Sequence, residues 1–331
     1  MRTNKYISLK NRGYEMLDRE GRNIDYLRVS LTENCNLRCI YCMPNEPCTS
    51  NSMSSLGVKD LNKIIRAFSV LGIKKVRFTG GEPLLVKELD KIIYNTSKIC
   101  NIDDIAITTN GMLLEQMATD LKNCGLKRVN LSLDTLDSKN FKLITRYGEL
   151  SKVEAAINKC LSLGLDLKIN TVLIKGINDN EIDDLINLTK ILPITLRFIE
   201  LMPIGEGEKF YKKGIITSKE VLENRLDLIP LANVHNSTAT LYKLPNSKGQ
   251  VGFISPISCK FCYGCNRIRI TSKGGIKPCL HSNQEIDLKP FFINDLALVT
   301  AIRDIIYEKP KEHNLKATNY KSIKYMYQIG G

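Results

Sequence analysis

Asn34-Cys35-Asn36-Leu37-Arg38-Cys39-Ile40-Tyr41-Cys42-Met43-Pro44 holds three cysteines separated by three and then by two residues. Three sulfurs this close in sequence converge on one point only if the chain loops tightly. Thiolates are soft ligands that select zinc, copper(I) or iron–sulfur clusters. Structural zinc takes four protein ligands in a closed tetrahedron, and no fourth ligand is adjacent here. A three-ligand loop leaves one metal position open. On a redox cluster, an open position is where a small molecule is bound and reduced.

Outward from the loop the chain alternates strand-like and helix-like segments. Strands are expected at 25–31, 74–79, 104–109, 127–134, 166–173 and 195–201, with helices at 60–72, 87–98, 113–124, 150–163 and 179–191. Several helical patterns end near a glycine (Gly72, Gly125, Gly164), as a helix C-cap does. Six βα repeats imply a parallel sheet with right-handed crossovers, which fits an open doubly wound sheet or a partial barrel.

Alternation within the strands chooses between them. Leu27 and Val29, Val76 and Phe78, Leu131 and Leu133, and Leu167 and Ile169 form one face. The other carries Arg28 and Ser30; Lys75, Arg77 and Thr79; Asn130, Ser132 and Asp134; Lys168 and Asn170. A closed barrel of the triosephosphate isomerase type fills its lumen with Val, Ile and Leu, which this pattern forbids. Helices must cover the apolar face, so the polar face lines the lumen, and buried cations there require an anion. The expected fold class is therefore α/β, an incomplete barrel open to a large polyanionic substrate.

Composition sets the outer limits. The 331 residues suffice for one large α/β domain plus an appended module. No apolar run approaches the roughly 18–20 residues of a membrane span, and the polar, basic stretch from Met1 to Arg12 lacks the apolar region of a secretory signal. Eleven cysteines outside a secreted context suit reduced, metal-ligating thiols, so a cytoplasmic location is expected. The net charge of +13 suits an anionic partner without identifying it.

Past Met202 the pattern changes: a helix at 217–226, a hairpin at 239–245 and 249–254, a second hairpin over 266–280, a helix at 292–308 and a basic tail ending Gly330-Gly331. Cys262, Cys265 and Cys279 lie in this part, with Cys259 just upstream. They suit a zinc site completed by Cys259 or His281, or a second three-ligand cluster. Alternation after Cys265 points Arg267 and Arg269 to one side, where two guanidiniums can clamp a phosphate or purine.

The CxxxCxxC loop, with Tyr41 before its third cysteine and Gly80-Gly81-Glu82-Pro83 after the second strand, resembles the signature of radical S-adenosylmethionine (SAM) enzymes. The stretches DYLRVSLT, RFTGGEPLL, ITTNGMLL, LSLDTLD, LKINTVLIKGIND, LRFIELMPIG and CNRIRIT narrow the resemblance to the GTP 3′,8-cyclase family of molybdenum cofactor biosynthesis. It runs from about Leu27 to the C-terminus.

That resemblance implies an incomplete (α/β)6 barrel of the TIM type at 25–205, after an N-terminal extension at 1–24. A C-terminal α+β domain at 206–331 then carries a second Fe–S cluster over the open mouth. It implies two [4Fe–4S] clusters, the first on Cys35, Cys39 and Cys42 and the second on Cys262, Cys265 and Cys279, with Cys259 unligated. SAM contacts map to Tyr41, Gly81, Ser132 and Met202. GTP contacts map to Arg28, Lys75, Arg77, Thr108, Lys168, Arg197, Arg267 and Arg269. Arg267, Arg269, Gly330 and Gly331 take catalytic roles, the last two in a tail that enters the site.

The implied reaction begins with a 5′-deoxyadenosyl radical that removes hydrogen from C3′ of GTP. The C3′ radical then adds to C8, giving (8S)-3′,8-cyclo-7,8-dihydroguanosine 5′-triphosphate. Implied partners are flavodoxin or ferredoxin as electron donor and a downstream cyclic pyranopterin monophosphate synthase; a homodimer is allowed, and neither a membrane nor nucleic acid is expected. The competing readings are a radical SAM enzyme acting on a peptide or RNA, and a non-catalytic protein with two zinc sites.

Overall fold

The computed structural model describes residues 15–46, 55–232, 236–313, 315 and 323–330. Gly331, Cys48 and the first fourteen residues of the N-terminal extension lie outside them. The first two-thirds of the chain forms six strands: β1 (Tyr26–Ser30), β2 (Lys75–Thr79), β3 (Asp104–Thr109), β4 (Arg128–Ser132), β5 (Asp166–Leu173) and β6 (Thr195–Glu200). The crossover helices are α1 (Val58–Val70), α2 (Leu89–Ser97), α3 (Leu114–Asn123), α4 (Ser138–Thr145), α5 (Leu150–Ser162) and α6 (Ile182–Ile191). All five expected helices are present. The additional one, α4, starts at Asp137, whose carboxylate accepts from the Asn140 N–H at 2.8 Å.

β1 to β6 pair in parallel and in sequence order, and β1 does not pair with β6. Their apolar face is the core. Leu27, Val29, Val76, Phe78, Leu131, Leu167 and Ile169 are at most 1 % exposed, against helix residues such as Ile64, Phe68, Ile93, Ala118 and Leu185. Burial of each such aliphatic or aromatic side chain contributes about 1.5–3 kcal/mol.

The remaining elements are α7 (Gly207–Tyr211), α8 (Ser218–Asn224), β7 (Ile229–Pro230), β8 (Thr240–Lys243), β9 (Gln250–Ile254), β10 (Arg267–Ile270), β11 (Gly275–Lys277), β12 (Ile286–Asp287), α9 (Asp295–Tyr307) and α10 (Met326–Ile329). Both expected hairpins form, β8–β9 and β10–β11. They also extend the barrel sheet: β9 adds in parallel to β6 and β10 in parallel to β1, giving the order β12-β11-β10-β1-β2-β3-β4-β5-β6-β9-β8-β7. The open edges are thus paired, which removes rows of unsatisfied backbone groups.

This pairing concentrates charge. Arg28 is in register with Arg269 on one side and with Arg77 on the other, so three arginines share one rung of the polar face. Like charges side by side in a sheet oppose its stability.

Candidate active site

Two compartments lie on the polar side of the sheet. The first, of about 200 Å³, is bordered by Cys35, Cys39, Cys42, Gly81, Ser132 and Met202. The cysteine loop is closed by backbone bonds from the Cys42 and Met43 N–H groups to the Cys39 carbonyl at 2.9 and 3.0 Å. The Arg38 guanidinium donates to the Cys35 carbonyl at 2.7 Å, and Arg146 donates to the carbonyls of Arg38 and Met43.

Gly81 explains the position of the Gly-Gly-Glu-Pro turn. A Cβ there would lie 2.1 Å from the Asn34 carbonyl oxygen, so only glycine lets the turn pack against the root of the cysteine loop. Glu82 is buried beneath it and accepts from the N–H groups of Leu84 and Asn110 and from Thr109 Oγ1. Burial pushes its carboxyl up to about 7. Tyr41 donates its hydroxyl to Asp134 at 2.7 Å, and burial pushes the Asp134 carboxyl up to about 6.

The thiols in this compartment stay protonated unless a positive partner ionises them. Burial, together with the nearby Cys42, Asp134 and Cys35, holds Cys39 well above the ordinary thiol range. Burial and Cys35 push Cys42 up to about 12. Buried sulfurs that repel one another as thiolates fit a cluster of several irons, whose charge would ionise them. Among the described residues, no three His, Cys, Asp or Glu side chains are gathered as for a single metal ion.

The second compartment, of about 370 Å³, is bordered by Arg28, Arg77, Lys168, Arg197, Arg267 and Arg269 and by Cys262, Cys265 and Cys279. Three cations here have carboxylates: Lys75 with Asp25 at 3.1 Å, Lys168 with Asp166 at 3.5 Å, and Arg128 with Asp104. Arg28, Arg77, Arg197, Arg267 and Arg269 have none among the described residues. The Nε atoms of Arg28, Arg77 and Arg197 are buried without any protein acceptor.

Burial and neighbouring guanidiniums depress this group. Arg28 is driven down by burial, Arg269 and Arg77, and Arg197 falls to about 9 through burial and the charge of Arg77. Against its burial, the charges of Lys309 and Arg267 bring the Cys265 thiol down to about 7. A cavity with unpaired buried guanidiniums is built for a polyanion. Its donor set of three cysteines suits a second cluster.

The compartments meet: Asn170, Ile199, Met202 and Met326 border both. The C-terminal tail reaches this junction, where Tyr327 borders the first compartment and Arg269 donates to the Gly330 carbonyl at 2.9 Å.

Tyr41, Gly81, Ser132 and Met202 come together as expected, as do the basic residues and both cysteine triplets. Thr108, mapped to a GTP contact, borders the first compartment, because β3 ends beside the cysteine loop. Cys259 is exposed and does not border the cavity. Arg128 and Tyr26, which line the cavity, were not anticipated. Each stands two residues before a polar-face residue, Asn130 and Arg28, so the same alternation identifies them. Lys309 and His313 also line it, from a loop that no sequence periodicity marks.

The profile of the Radical SAM superfamily matches residues 29–189, and that of Molybdenum Cofactor Synthesis C matches residues 194–315. The GTP 3′,8-cyclase of Clostridium acetobutylicum is 57% identical over 318 residues, 96% of this chain and 100% of its own length. That of Clostridium botulinum strain Hall is 56% identical over 319 residues, again 96% and 100% of the two chains. Among solved structures, Streptococcus suis SuiB bound to precursor peptide SuiA matches with a TM-score of 0.60 at 19% identity, covering 88% of this chain and 67% of that one. The likeness to SuiB is one of fold.

Proposed function

This chain belongs to the GTP 3′,8-cyclase family of radical SAM enzymes, and from that membership we propose that its two compartments divide cofactor from substrate. The enzyme cyclises GTP to (8S)-3′,8-cyclo-7,8-dihydroguanosine 5′-triphosphate in molybdenum cofactor biosynthesis and uses SAM and two [4Fe–4S] clusters. In this reading Cys35, Cys39 and Cys42 hold the first cluster, and Cys262, Cys265 and Cys279 the second. The barrel spans 25–205 and the second-cluster domain 206–331.

When bound, the first cluster and SAM together supply a 5′-deoxyadenosyl radical. The protein's own residues bind, orient and enclose. Gly81, Ser132, Tyr41 and Met202 border the space for SAM, with Asp134 fixing the Tyr41 hydroxyl. Arg28, Arg77, Lys168 and Arg197 receive the triphosphate, with Lys75 near its outer end. Arg267 and Arg269 orient the nucleoside beside the second cysteine set. Holding the ribose at the junction of the compartments replaces diffusional encounter by a fixed geometry, and the tail at Gly330 excludes water from it.

One observation carries this reading. Five buried or half-buried guanidiniums lack carboxylates among the described residues, in a cavity that opens, through Asn170 and Met202, onto the cysteine-loop compartment. The expected electron donor is a flavodoxin or ferredoxin, and the unstable product passes to a cyclic pyranopterin monophosphate synthase. The placement is cytoplasmic; no helix among the described residues is long and apolar enough to cross a membrane. The test is anaerobic reconstitution followed by iron analysis and incubation with GTP, SAM and dithionite. About eight irons per chain, four per cluster, and a GTP-dependent cyclised product are expected. Zinc in place of iron, or SAM cleavage indifferent to GTP, contradicts the reading.

A further inference from the structure

Lys309 is 4 % exposed and borders the same cavity as Cys262, Cys265 and Cys279. Its ammonium donates to the Arg267 carbonyl at 2.9 Å and to the Pro278 carbonyl. Those carbonyls stand two residues after Cys265 and one before Cys279, so Lys309 ties together two cysteine-bearing segments. Arg22 builds the position. Its buried guanidinium donates to the carbonyls of Lys309, Pro310 and Lys311, and to that of Cys262 at 2.9 Å.

The two buried cations differ in what offsets them. Arg22 has Asp18 at 2.6 Å. Lys309 has only carbonyl oxygens, and among the described residues no carboxylate lies within ion-pair reach of it. Burying a charge without a counter-charge is costly, and such a group persists where an anion faces it. Arg267 and Arg269 also border the cysteines, but the substrate's phosphates and purine offset them in the reading above.

We propose that Lys309 is the fixed counter-charge of the second cluster, a positioning residue that favours cluster retention and raises its reduction potential. The inference rests on the assignment of Cys262, Cys265 and Cys279 to that cluster. One-electron reduction makes a cluster one unit more negative, and a nearby cation stabilises the reduced form more than the oxidised one.

The test uses the full-length chain with Cys35, Cys39 and Cys42 changed to Ala, so that only the second cluster titrates. This parent and its Lys309→Met and Lys309→Arg derivatives are reconstituted anaerobically and titrated with dithionite under EPR. In Lys309→Met the reduced-to-oxidised ratio at fixed potential falls at least tenfold, a 59 mV shift for one electron, while Lys309→Arg stays near the parent. Loss of iron in Lys309→Met and in a further derivative, Lys309→Gln, with retention in Lys309→Arg supports the same role, because Gln keeps an N–H donor for the carbonyls and lacks the charge; retention in Lys309→Gln with a parent-like potential overturns it. A smaller shift with iron retained, or equal damage in both derivatives, overturns it. A parent that binds no iron overturns the cysteine assignment itself and the role of Lys309 with it.

Discussion

Arg269 donates through Nη1 to the Gly330 carbonyl at 2.9 Å, joining the rung of arginines to the C-terminal tail. Gly330 sits at φ +67, and a Cβ there would come 2.4 Å from Thr79 Oγ1 and 3.1 Å from Ser30 Cβ. Gly330→Ala therefore meets both a left-handed backbone, costing about 1–2 kcal/mol, and a clash at the ends of β1 and β2. Cyclisation of GTP is expected to fall about tenfold or more, since each 1.4 kcal/mol is tenfold, while iron content stays at the parent level. Parent-like turnover in an anaerobic assay would show that the tail does not work from this position.

The Arg269–Arg28–Arg77 rung sets stability against function. Arg77 is 9 % exposed, has no carboxylate among the described residues, and meets Tyr26 through a ring contact at 5.2 Å and a side-chain hydrogen bond. Arg77→Met removes like-charge repulsion and is expected to stabilise the ligand-free protein by on the order of 1 kcal/mol. GTP binding should weaken roughly 10- to 100-fold, the loss of one charge-assisted contact. Denaturant melts and equilibrium GTP binding measure the two effects. A variant that lost stability and kept GTP affinity would mean that Arg77 is a structural cation.

The site was legible where it follows strand periodicity and obscure where it depends on distant segments. Leu27 and Val29 against Arg28 and Ser30 located the lumen, because burial of one sheet face leaves a two-residue repeat in the chain. No local pattern announces that Arg269 pairs with Arg28, some 240 residues away, or that β9 closes onto β6. Periodicity gives direction without depth along the barrel axis, so it does not tell that Thr108 borders the first compartment. Lys309 and Arg22 were invisible for a related reason. Their roles come from carbonyl contacts between loops, and any lysine or arginine can supply such contacts.

Asp134 gives the ligand-free protein a defined pH dependence. Burial raises its carboxyl from 3.8 to about 6 in the fold, against the opposing bonds from Tyr41 and Val172. Between those values the folded state holds a proton that the unfolded chain has released. The contribution of Asp134 to stability is therefore greatest below about pH 4 and is lost as pH rises through 6. Asp134→Asn cannot ionise, so above pH 6 it should be more stable than the parent by on the order of 1–3 kcal/mol, with no difference of slope beyond pH 7. Urea melts of both iron-free proteins from pH 4.5 to 7.5 check this, and parallel curves would refute it.

Glu285 fastens the tail before it enters the site. Its carboxylate accepts from Thr271 Oγ1 at 2.9 Å and pairs with Lys324, while the Ile323 N–H donates to Asn283 at 3.2 Å. Beside it Gly275 leaves no room for a side chain, since a Cβ would lie 2.2 Å from Glu285 Oε1. The Lys324 and Glu285 side chains are 31% and 20% exposed, so their pairing contributes no more than about 1 kcal/mol. Glu285→Gln keeps a partner for Thr271 and removes the charge. Tail cleavage by trypsin, followed by mass spectrometry, should then accelerate roughly fivefold, the factor that about 1 kcal/mol represents. Raising ionic strength should accelerate cleavage of the parent toward that rate and leave Glu285→Gln unchanged, because salt screens a half-exposed pair. Gly275→Ala should act in the same direction by displacing the carboxylate. Unaltered cleavage in both variants would place the hold on the tail at Arg269 and Gly330 alone.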